Sequence, residues 1–211
     1  MTSHLLSWLL SYLLGSISGS LLVGAFRGVD IRAAGSGNAG ATNALRTQGW
    51  KFALATALID LGKGVIAALV LAKLIWPGSM AVDPLAAALA CVLFAAIGHC
   101  FPIWHGFRGG KGAGTLFGGL LTLLPLVTGL AFAVWLATLL LSGYVGLATV
   151  CAAISLPLLF WVMGGSGPSL LICALAAALV VWMHRGNLQR VRAGTENCFE
   201  RVRLLPRRRS E

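Results

Sequence analysis

Long apolar stretches alternate with short polar connections along this chain. A membrane-spanning helix needs about 20 consecutive apolar residues, and five stretches are long enough to predict one span each. They cover residues 4–26, 51–76, 81–104, 144–163 and 168–183. A sixth stretch, 113–142, is too long for one untilted span and short for two. The pattern therefore predicts a polytopic membrane protein built from helices.

The sixth stretch carries Pro125 near its middle. A proline inside a helix removes a backbone donor and clashes with the preceding turn, so it kinks or ends the helix. We therefore expect 113–142 to split at Pro125 into a short half-helix and a second span. The prediction is a single all-α integral-membrane domain, residues 1–211, with seven membrane helices including the short, broken one.

The positive charges indicate how these helices are oriented. All but Lys63 and Lys73 of the 16 lysines and arginines lie in three segments, 27–51, 108–111 and 185–209. Such segments stay in the cytoplasm, which requires an even number of crossings between them, and the split at Pro125 provides it. We expect the N-terminus outside and the C-terminus inside, with the basic tail touching anionic lipid.

Composition agrees with this class of protein. Hydrophobic residues make up 58% of the chain and charged residues 10%, with a mean hydropathy of +0.87. A soluble domain carries about a quarter charged residues, so lipid must cover much of this surface. The net charge of +10 does not indicate nucleic-acid binding, because the basic residues lie on no soluble module. The five cysteines show no paired spacing, which disfavours a disulfide framework or a zinc site.

The first apolar stretch has no basic residues ahead of it and is too long for the apolar region of a signal peptide. We interpret it as a permanent span.

Glycines and unusual polar residues gather at the three basic segments. These glycine-rich segments read GSGNAGATNALR (35–46), GHCFPIWHGFRGGKGAGT (98–115) and HRGNLQRVRAGTENCF (184–199). The first fits G-x-G-x-x-G, but a dinucleotide site needs a preceding strand and apolar helices flank this segment. The second is no P-loop, because Gly112 follows Lys111 and His105 stands where that motif needs glycine.

Glycine still suits phosphate binding, because a backbone without Cβ lets consecutive N–H groups approach an anion. Two segments combine such glycines with donors and cations: Ser36, Asn38, Thr42, Asn43 and Arg46 in the first, and Arg108 and Lys111 in the second. Arginine offers a fork that matches phosphate oxygens. Two such segments on one face predict a site for two phosphate-bearing substrates. The alternative is a pair of flexible loops whose charges only set topology.

Two ionisable residues, Asp60 and Lys63, lie one turn apart inside the second predicted span. Charged groups at membrane depth are a functional hypothesis by default, but a structural i,i+3 ion pair is an equal alternative. We expect His99 to hydrogen-bond a loop carbonyl and His105 to be a surface residue. His184 stands at the end of the last span, beside the polar residues of the third segment.

Taken together, the three segments resemble the signature motifs of the bacterial acyl-phosphate:glycerol-3-phosphate acyltransferases, the PlsY family. Their order and spacing agree, and DLGKG at 60–64 resembles a further family segment. The similarity covers essentially the whole chain. It implies transfer of an acyl group from acyl phosphate to the sn-1 hydroxyl of glycerol 3-phosphate, giving lysophosphatidic acid and phosphate in phospholipid synthesis. It implies no metal and no cofactor.

Together with the donors named above, the resemblance gives a predicted site. Its catalytic residues are Ser36, Arg46, Lys111, His184 and Asn187. Its substrate-binding residues are Gly37, Asn38, Thr42, Asn43, Arg108, Gly109, Gly110, Gly112 and Glu196. The resemblance implies that the second segment holds a substrate phosphate and that His184 and Asn187 position the glycerol phosphate. Glu196 would brace their loop.

An acyl phosphate is a mixed anhydride with a good leaving group, so positioning and charge neutralisation should supply most of the rate. No convincing Ser–His–Asp triad is visible, which favours direct attack by the glycerol hydroxyl, with the donor phosphate or His184 taking the proton. The expected location is the bacterial inner membrane, with the site facing the cytoplasm.

The alternative function is a non-enzymatic membrane transporter of phosphate esters or lipids. It would share the helices and the anion-binding loops. Transporters commonly contain repeats with paired broken helices, whereas a single broken segment is visible in this sequence.

Overall fold

The computed structural model describes residues 2–75 and 83–204. The connection after the second predicted span and the basic end of the chain, 205–211, lie outside the described residues, and so does the predicted lipid contact of that tail. All regular structure in the described ranges is helical. This confirms the all-α membrane class predicted from the hydrophobic pattern.

Ten α-helices form in the described residues. They are α1 Thr2–Gly15, α2 Gly19–Arg27, α3 Ala41–Gln48, α4 Trp50–Ile66, α5 Pro84–Cys100, α6 Ala113–Leu123, α7 Pro125–Ser142, α8 Val145–Val162, α9 Gly167–Met183 and α10 Arg185–Arg192. The chain divides into two compact units, Met1–Pro125 and Leu126–Glu211.

Four helical stretches are long and apolar enough to cross a membrane: Trp50–Leu71, Pro84–His105, Pro125–Ser142 and Val145–Val162. Two bent pairs raise this number to six if each pair is one span: Leu5–Gly15 with Gly19–Arg27, and Gly167–Met183 with Arg185–Arg192. Helix α6, with 11 residues, is a shorter apolar helix. The count of seven and the orientation of the termini stay predictions.

The break inside 113–142 is confirmed. Helix α6 ends at Leu123 and α7 begins at Pro125, while Leu124 between them has φ −133° and ψ 60°. Proline suits the first position of a helix, because its N–H would have no partner there and its φ already fits.

The first predicted span, 4–26, is bent in the structure. Helix α1 ends at Gly15, α2 begins at Gly19, and the two axes differ by 41°. No proline lies at this break. The glycines and serines at 15, 16, 18 and 19 permit such a bend, and contacts from elsewhere in the fold hold it.

Helices of the first unit approach each other closely through small residues. A Cβ on Gly64 of α4 would collide with the Thr115 carbonyl, and one on Gly118 of α6 would collide with the Leu61 carbonyl. Membrane helices associate through such small residues, which let backbones touch. In the second unit, α8 packs against α9, and α10 packs against both. The close contact of α4 with α6 brings the charged residues of α4 to the start of α6.

Candidate functional site

The first glycine-rich segment forms a loop between the short 3-10 turn Ile31–Ala33 and α3. Gly35 and Gly37 have φ values of 61° and 71°. This left-handed region costs glycine nothing but strains other residues. The loop therefore requires glycine at these two positions for its backbone path.

The side chain of Asn43 organises this loop from inside. Its Oδ1 accepts the N–H of Ser36 at 2.9 Å. Its Nδ2 donates to the carbonyl oxygens of Ile31 at 3.1 Å and Ala34 at 3.0 Å. The amide was predicted to donate to a substrate, but both of its N–H groups bind the loop itself. Asn43 is thus buried support for the exposed Ser36.

The other predicted residues of this segment lie nearer the surface. Gly37 and Arg46 are exposed, while Asn38 and Thr42 are half-buried. Arg46 lies in the second half of α3, the helix that follows the loop. Ser36 and Arg46 can therefore both be reached from outside the protein.

The second segment leaves α5 at Cys100 and enters α6 at Ala113. The N–H of Gly109 donates to the Cys100 carbonyl at 3.2 Å, and the N–H of Gly110 donates to the His99 carbonyl at 3.0 Å. These two amides cap the end of α5. They are engaged with the protein, in contrast to the expectation that both glycine amides turn toward a phosphate.

Close packing explains the glycines of the second segment. A Cβ on Gly109 would collide with the His99 carbonyl. A Cβ on Gly110 would collide with the imidazole of His99 and would lie 2.7 Å from the Ala39 carbonyl of the first segment. Gly112 has φ 77° immediately before α6. Glycine thus allows the two segments to lie in direct contact.

Arg32 links the turn before the first segment to the second segment, a role that its sequence position did not reveal. Its Nη1 donates to the carbonyl oxygens of His105 at 3.1 Å and Arg108 at 3.2 Å. Its Nε and Nη2 bind the Asp30 carboxylate at 3.0 and 2.8 Å. These side-chain hydrogen bonds lower the pKa of Asp30 to about 2. The only signal in the sequence was an acidic and a basic residue two positions apart before the glycines.

The cations of the second segment stand before α6. Arg108 is exposed and Lys111 is half-buried, two residues ahead of the first helical residue. A helix N-terminus carries partial positive charge and unpaired N–H groups, which favour anions. Lys111 and the start of α6 therefore provide positive potential at the same place.

Asp60, Lys63 and His99 form a buried cluster between α4 and α5. The Lys63 Nζ lies 3.1 Å from the Asp60 Oδ1 and 2.7 Å from the His99 Nδ1, and that Nδ1 lies 3.3 Å from the same carboxylate oxygen. The three residues are 5%, 3% and 4% exposed. The ion pair, one of the two alternatives that the sequence left open, is present. The prediction for His99 is wrong, because its imidazole contacts the ion pair and not a loop carbonyl.

The cluster also binds the two helix ends at the break in the first predicted span. Lys63 Nζ donates to the carbonyl oxygens of Gly15 at 2.9 Å and Ile17 at 3.0 Å. The N–H of Gly19 donates to the Asp60 Oδ1 at 3.1 Å. A cation at a helix C-terminus and an anion at a helix N-terminus are each stabilised by the helix dipole. The ion pair therefore satisfies both ends of the break.

The third segment lies in the second unit, where α9 ends and α10 begins. His184 occupies this junction and is buried. Its Nδ1 lies 2.8 Å from the Val180 carbonyl oxygen, and because a carbonyl only accepts, Nδ1 carries the hydrogen. In the neutral form of this ring, Nε2 is then the nitrogen that can accept a proton.

Glu196 holds the loop that follows α10. One carboxylate oxygen accepts from Asn187 Nδ2 at 2.8 Å and the other from Arg190 Nε at 2.6 Å. A Cβ on Gly146 of α8 would lie 2.7 Å from the Asn187 side chain. Asn187 is thereby held in one orientation by α8 and by Glu196.

The structure brings the first and second segments together within the first unit. It builds the third segment within the second unit. The prediction that all three segments share one site stays a prediction.

Comparison with known proteins agrees with the sequence motifs. Residues 5–194 match the family model described as glycerol-3-phosphate acyltransferase. A protein of that name from Thermosynechococcus vestitus is 44% identical over 195 residues, which cover 89% of this chain and 91% of the relative. Another from Pseudomonas syringae pv. tomato is 45% identical over 197 residues, covering 91% and 97%.

The fold is similar to crystal structures of PlsY (YgiH), an integral membrane glycerol 3-phosphate acyltransferase. Its glycerol 3-phosphate form gives a TM-score of 0.85 at 36% identity, covering 93% of this chain and 96% of that chain. Its lysophosphatidic acid form gives 0.82 at 35% identity, covering 93% and 95%. Family motifs, sequence identity and fold thus agree along nearly the whole chain, and this protein belongs to the glycerol-3-phosphate acyltransferase family.

Proposed function

We propose that this chain transfers an acyl group from acyl phosphate to the sn-1 hydroxyl of glycerol 3-phosphate, with release of lysophosphatidic acid and phosphate. The observation that carries the proposal is the direct contact between the first two glycine-rich segments. Gly110 lies against the Ala39 carbonyl, and Arg32 binds two carbonyls of the second segment. One surface therefore combines donors and cations for two phosphate groups.

The chemistry needs little activation of the nucleophile. The sn-1 oxygen attacks the acyl carbonyl carbon, the new C–O ester bond forms, and the C–O bond to phosphate breaks. Arg46, Arg108 and Lys111 neutralise phosphate charge and hold the substrates in reacting geometry, which are large contributions in phosphate-bearing sites. The leaving phosphate carries away the electron pair of the broken bond.

The proton of the glycerol hydroxyl passes to the leaving phosphate or to His184. The Val180 carbonyl holds the imidazole in the tautomer whose Nε2 accepts a proton. Asn187, oriented by Glu196, positions the glycerol phosphate. In this mechanism Ser36 donates a hydrogen bond and forms no acyl intermediate.

We further propose that the protein resides in the bacterial inner membrane with this site on the cytoplasmic face. The charges in and just before the first two segments, Arg32, Arg46, Arg108 and Lys111, support this placement through the positive-inside rule. A reporter fused to the C-terminus should then be found inside the cell.

An assay with purified protein tests the proposed activity. Wild-type protein should release phosphate and form lysophosphatidic acid when it is given acyl phosphate and glycerol 3-phosphate, and it should not use acyl-CoA directly. Arg46→Ala and Lys111→Ala should each abolish transfer without loss of folded protein, because each removes phosphate-neutralising charge. Lys51→Ala, which removes an exposed cation of the same basic region, is the matched control and should keep its rate.

Near-normal rates in both the Arg46 and the Lys111 variants would overturn the assignment of the site. Acyl label trapped on Ser36 by rapid quenching would contradict direct attack. Uptake of glycerol 3-phosphate into vesicles without product formation would indicate the transporter instead.

A further inference from the structure

We propose that Asp60, Lys63 and His99 are positioning residues, which hold the first and second glycine-rich segments in the geometry that binds phosphate. This inference rests on the proposed function, because it assigns a role in the same site. None of the three residues is placed among the groups that touch a substrate. Their effect would pass through the loops that they support.

The first argument is the cost of burying this cluster. Moving charges out of water is expensive, and a buried ion pair is weak evidence for stability because apolar residues often serve as well. Here both charges lie within a predicted span and are almost fully buried. Ionisable groups at such depth usually serve a function. The cluster is therefore expected to do more than join two helices.

The second argument is the contact between the cluster and the second segment. The imidazole of His99 lies so close to Gly110 that a Cβ at that position would overlap its Nε2. On its other side, the same ring contacts Lys63 and Asp60 through Nδ1. The cluster thus fixes the ring, and the ring supports the backbone one residue before Lys111.

The third argument is the contact between the cluster and the start of α2. Lys63 holds the carbonyls at the end of α1, and Asp60 holds the first N–H of α2. Helix α2 packs on α4 and leads directly to Asp30 and Arg32. The direction of α2 therefore places the arginine that binds the second segment.

These contacts reach both segments from one point in the fold. His99 supports the second segment. The bend between α1 and α2 sets the direction in which the chain approaches the first segment. A shift of the loop by about 1 Å can lower a rate by about 100-fold even when the altered residue is far from the chemistry. Exact placement of the loops is the property that we expect this cluster to supply.

His99→Phe is the sharpest variant for testing this role. It keeps a ring against Gly110 and leaves the ion pair in place. The three hydrogens of Lys63 still find acceptors on Gly15, Ile17 and Asp60, so the protein should fold.

We expect kcat/KM for glycerol 3-phosphate, per folded molecule, to fall about 10- to 100-fold. Hydrogen exchange in peptides covering 101–112 should accelerate, because the ring at position 99, no longer fixed by Lys63 and Asp60, supports the backbone at Gly110 less firmly. Peptides from α4 should exchange as in wild-type protein. His99→Asn, which restores an acceptor near the Nδ1 position, serves as the second variant if the phenylalanine variant does not fold.

Val92→Ala is the matched control. Val92 is fully buried on the same helix and lies outside the cluster. Its truncation should lower the melting temperature while kcat/KM per folded molecule stays within about twofold, because a cavity affects stability first.

Unchanged kcat/KM and unchanged exchange over 101–112 in the His99 variant would overturn the inference. An equal rise in exchange across α4, α5 and this segment would also overturn it, because it would show a merely structural role. If wild-type protein fails to use acyl phosphate, the proposed function fails, and the exchange measurement still tests the support of the loop.

Discussion

The two breaks in the apolar stretches of this protein have different causes. At 123–125 a proline begins the second helix, and the break follows from the covalent structure of that residue. At 16–18 no proline is present, and the freed carbonyls are bound by Lys63, which lies 46 and 48 residues away from its two partners in the chain. The break at 123–125 is set by one residue, and the break at 16–18, in a stretch of glycine and serine, is held by a side chain from elsewhere in the fold.

The comparison shows two ways in which a membrane protein can satisfy the backbone polar groups that an interrupted helix leaves unpaired. In lipid, every backbone polar group needs a partner inside the protein. The first break along the chain, at 16–18, receives its hydrogen-bond partners from a buried ion pair. The second break, at 123–125, places a proline, which has no N–H, where a donor would be unpaired. Removal of a side chain should therefore affect the first break strongly and the second break little.

Lys63→Met should have the largest effect. It leaves the Asp60 carboxylate without its ion-pair partner and leaves the carbonyls of Gly15 and Ile17 without their donor. Removal of one partner from a buried ion pair costs about 3–5 kcal/mol. Equilibrium unfolding in detergent, followed by helical circular dichroism, measures the loss.

The double variant Asp60→Asn with Lys63→Met controls for the unpaired charge. It should recover part of the stability that Lys63→Met loses, because no lone carboxylate remains buried. A double variant less stable than the single one would contradict this account of the first break.

Asp60→Asn alone should have an intermediate effect. The charge that pairs with Lys63 is lost, but the ammonium keeps the acceptors on Gly15, Ile17 and His99. The amide oxygen can also still accept the N–H of Gly19. Leaving a buried group incompletely satisfied costs about 1–3 kcal/mol, and more where charge is involved. The same unfolding measurement should place the stability of this variant between those of wild-type protein and Lys63→Met. A loss of stability as large as that of Lys63→Met would show that the amide oxygen at position 60 contributes nothing.

Pro125→Ala should have the smallest effect. The alanine regains an N–H in the first turn of α7, where a helix leaves its donors unpaired, and the unfolded chain gains freedom. Changes of this kind are worth about 0.4–1 kcal/mol. A loss of stability larger than that of Asp60→Asn would show that the break at 123–125 also depends on tertiary contacts.

The hydrophobic pattern was sufficient for much of the fold. The apolar stretches and Pro125 predicted the all-α class and the split between α6 and α7, because the signals lie within a few residues of the features. The bend between α1 and α2 was missed. The glycines and serines of 15–19 permit a break without requiring one, and the residues that hold the bend come from α4.

The sequence also placed the chemistry in three segments, but it did not show which protein groups some of their residues bind. Asn43 supports its own loop, and the amides of Gly109 and Gly110 cap α5. The role of Arg32 in linking the turn before the first segment to the second segment was not visible at all. Each of these assignments depends on which backbone groups lie opposite the residue, and a one-dimensional pattern does not contain that information.

By itself the sequence determined the class of protein, the family and the segments that carry charge and glycine, since these follow from composition, period and motif spacing. The tertiary structure decided which groups meet: Lys63 with the ends of α1 and α2, His99 with Gly110, and Arg32 with the second segment. The physical reason is that a buried charge or an unpaired backbone group must find its partner wherever the fold brings one within hydrogen-bond distance.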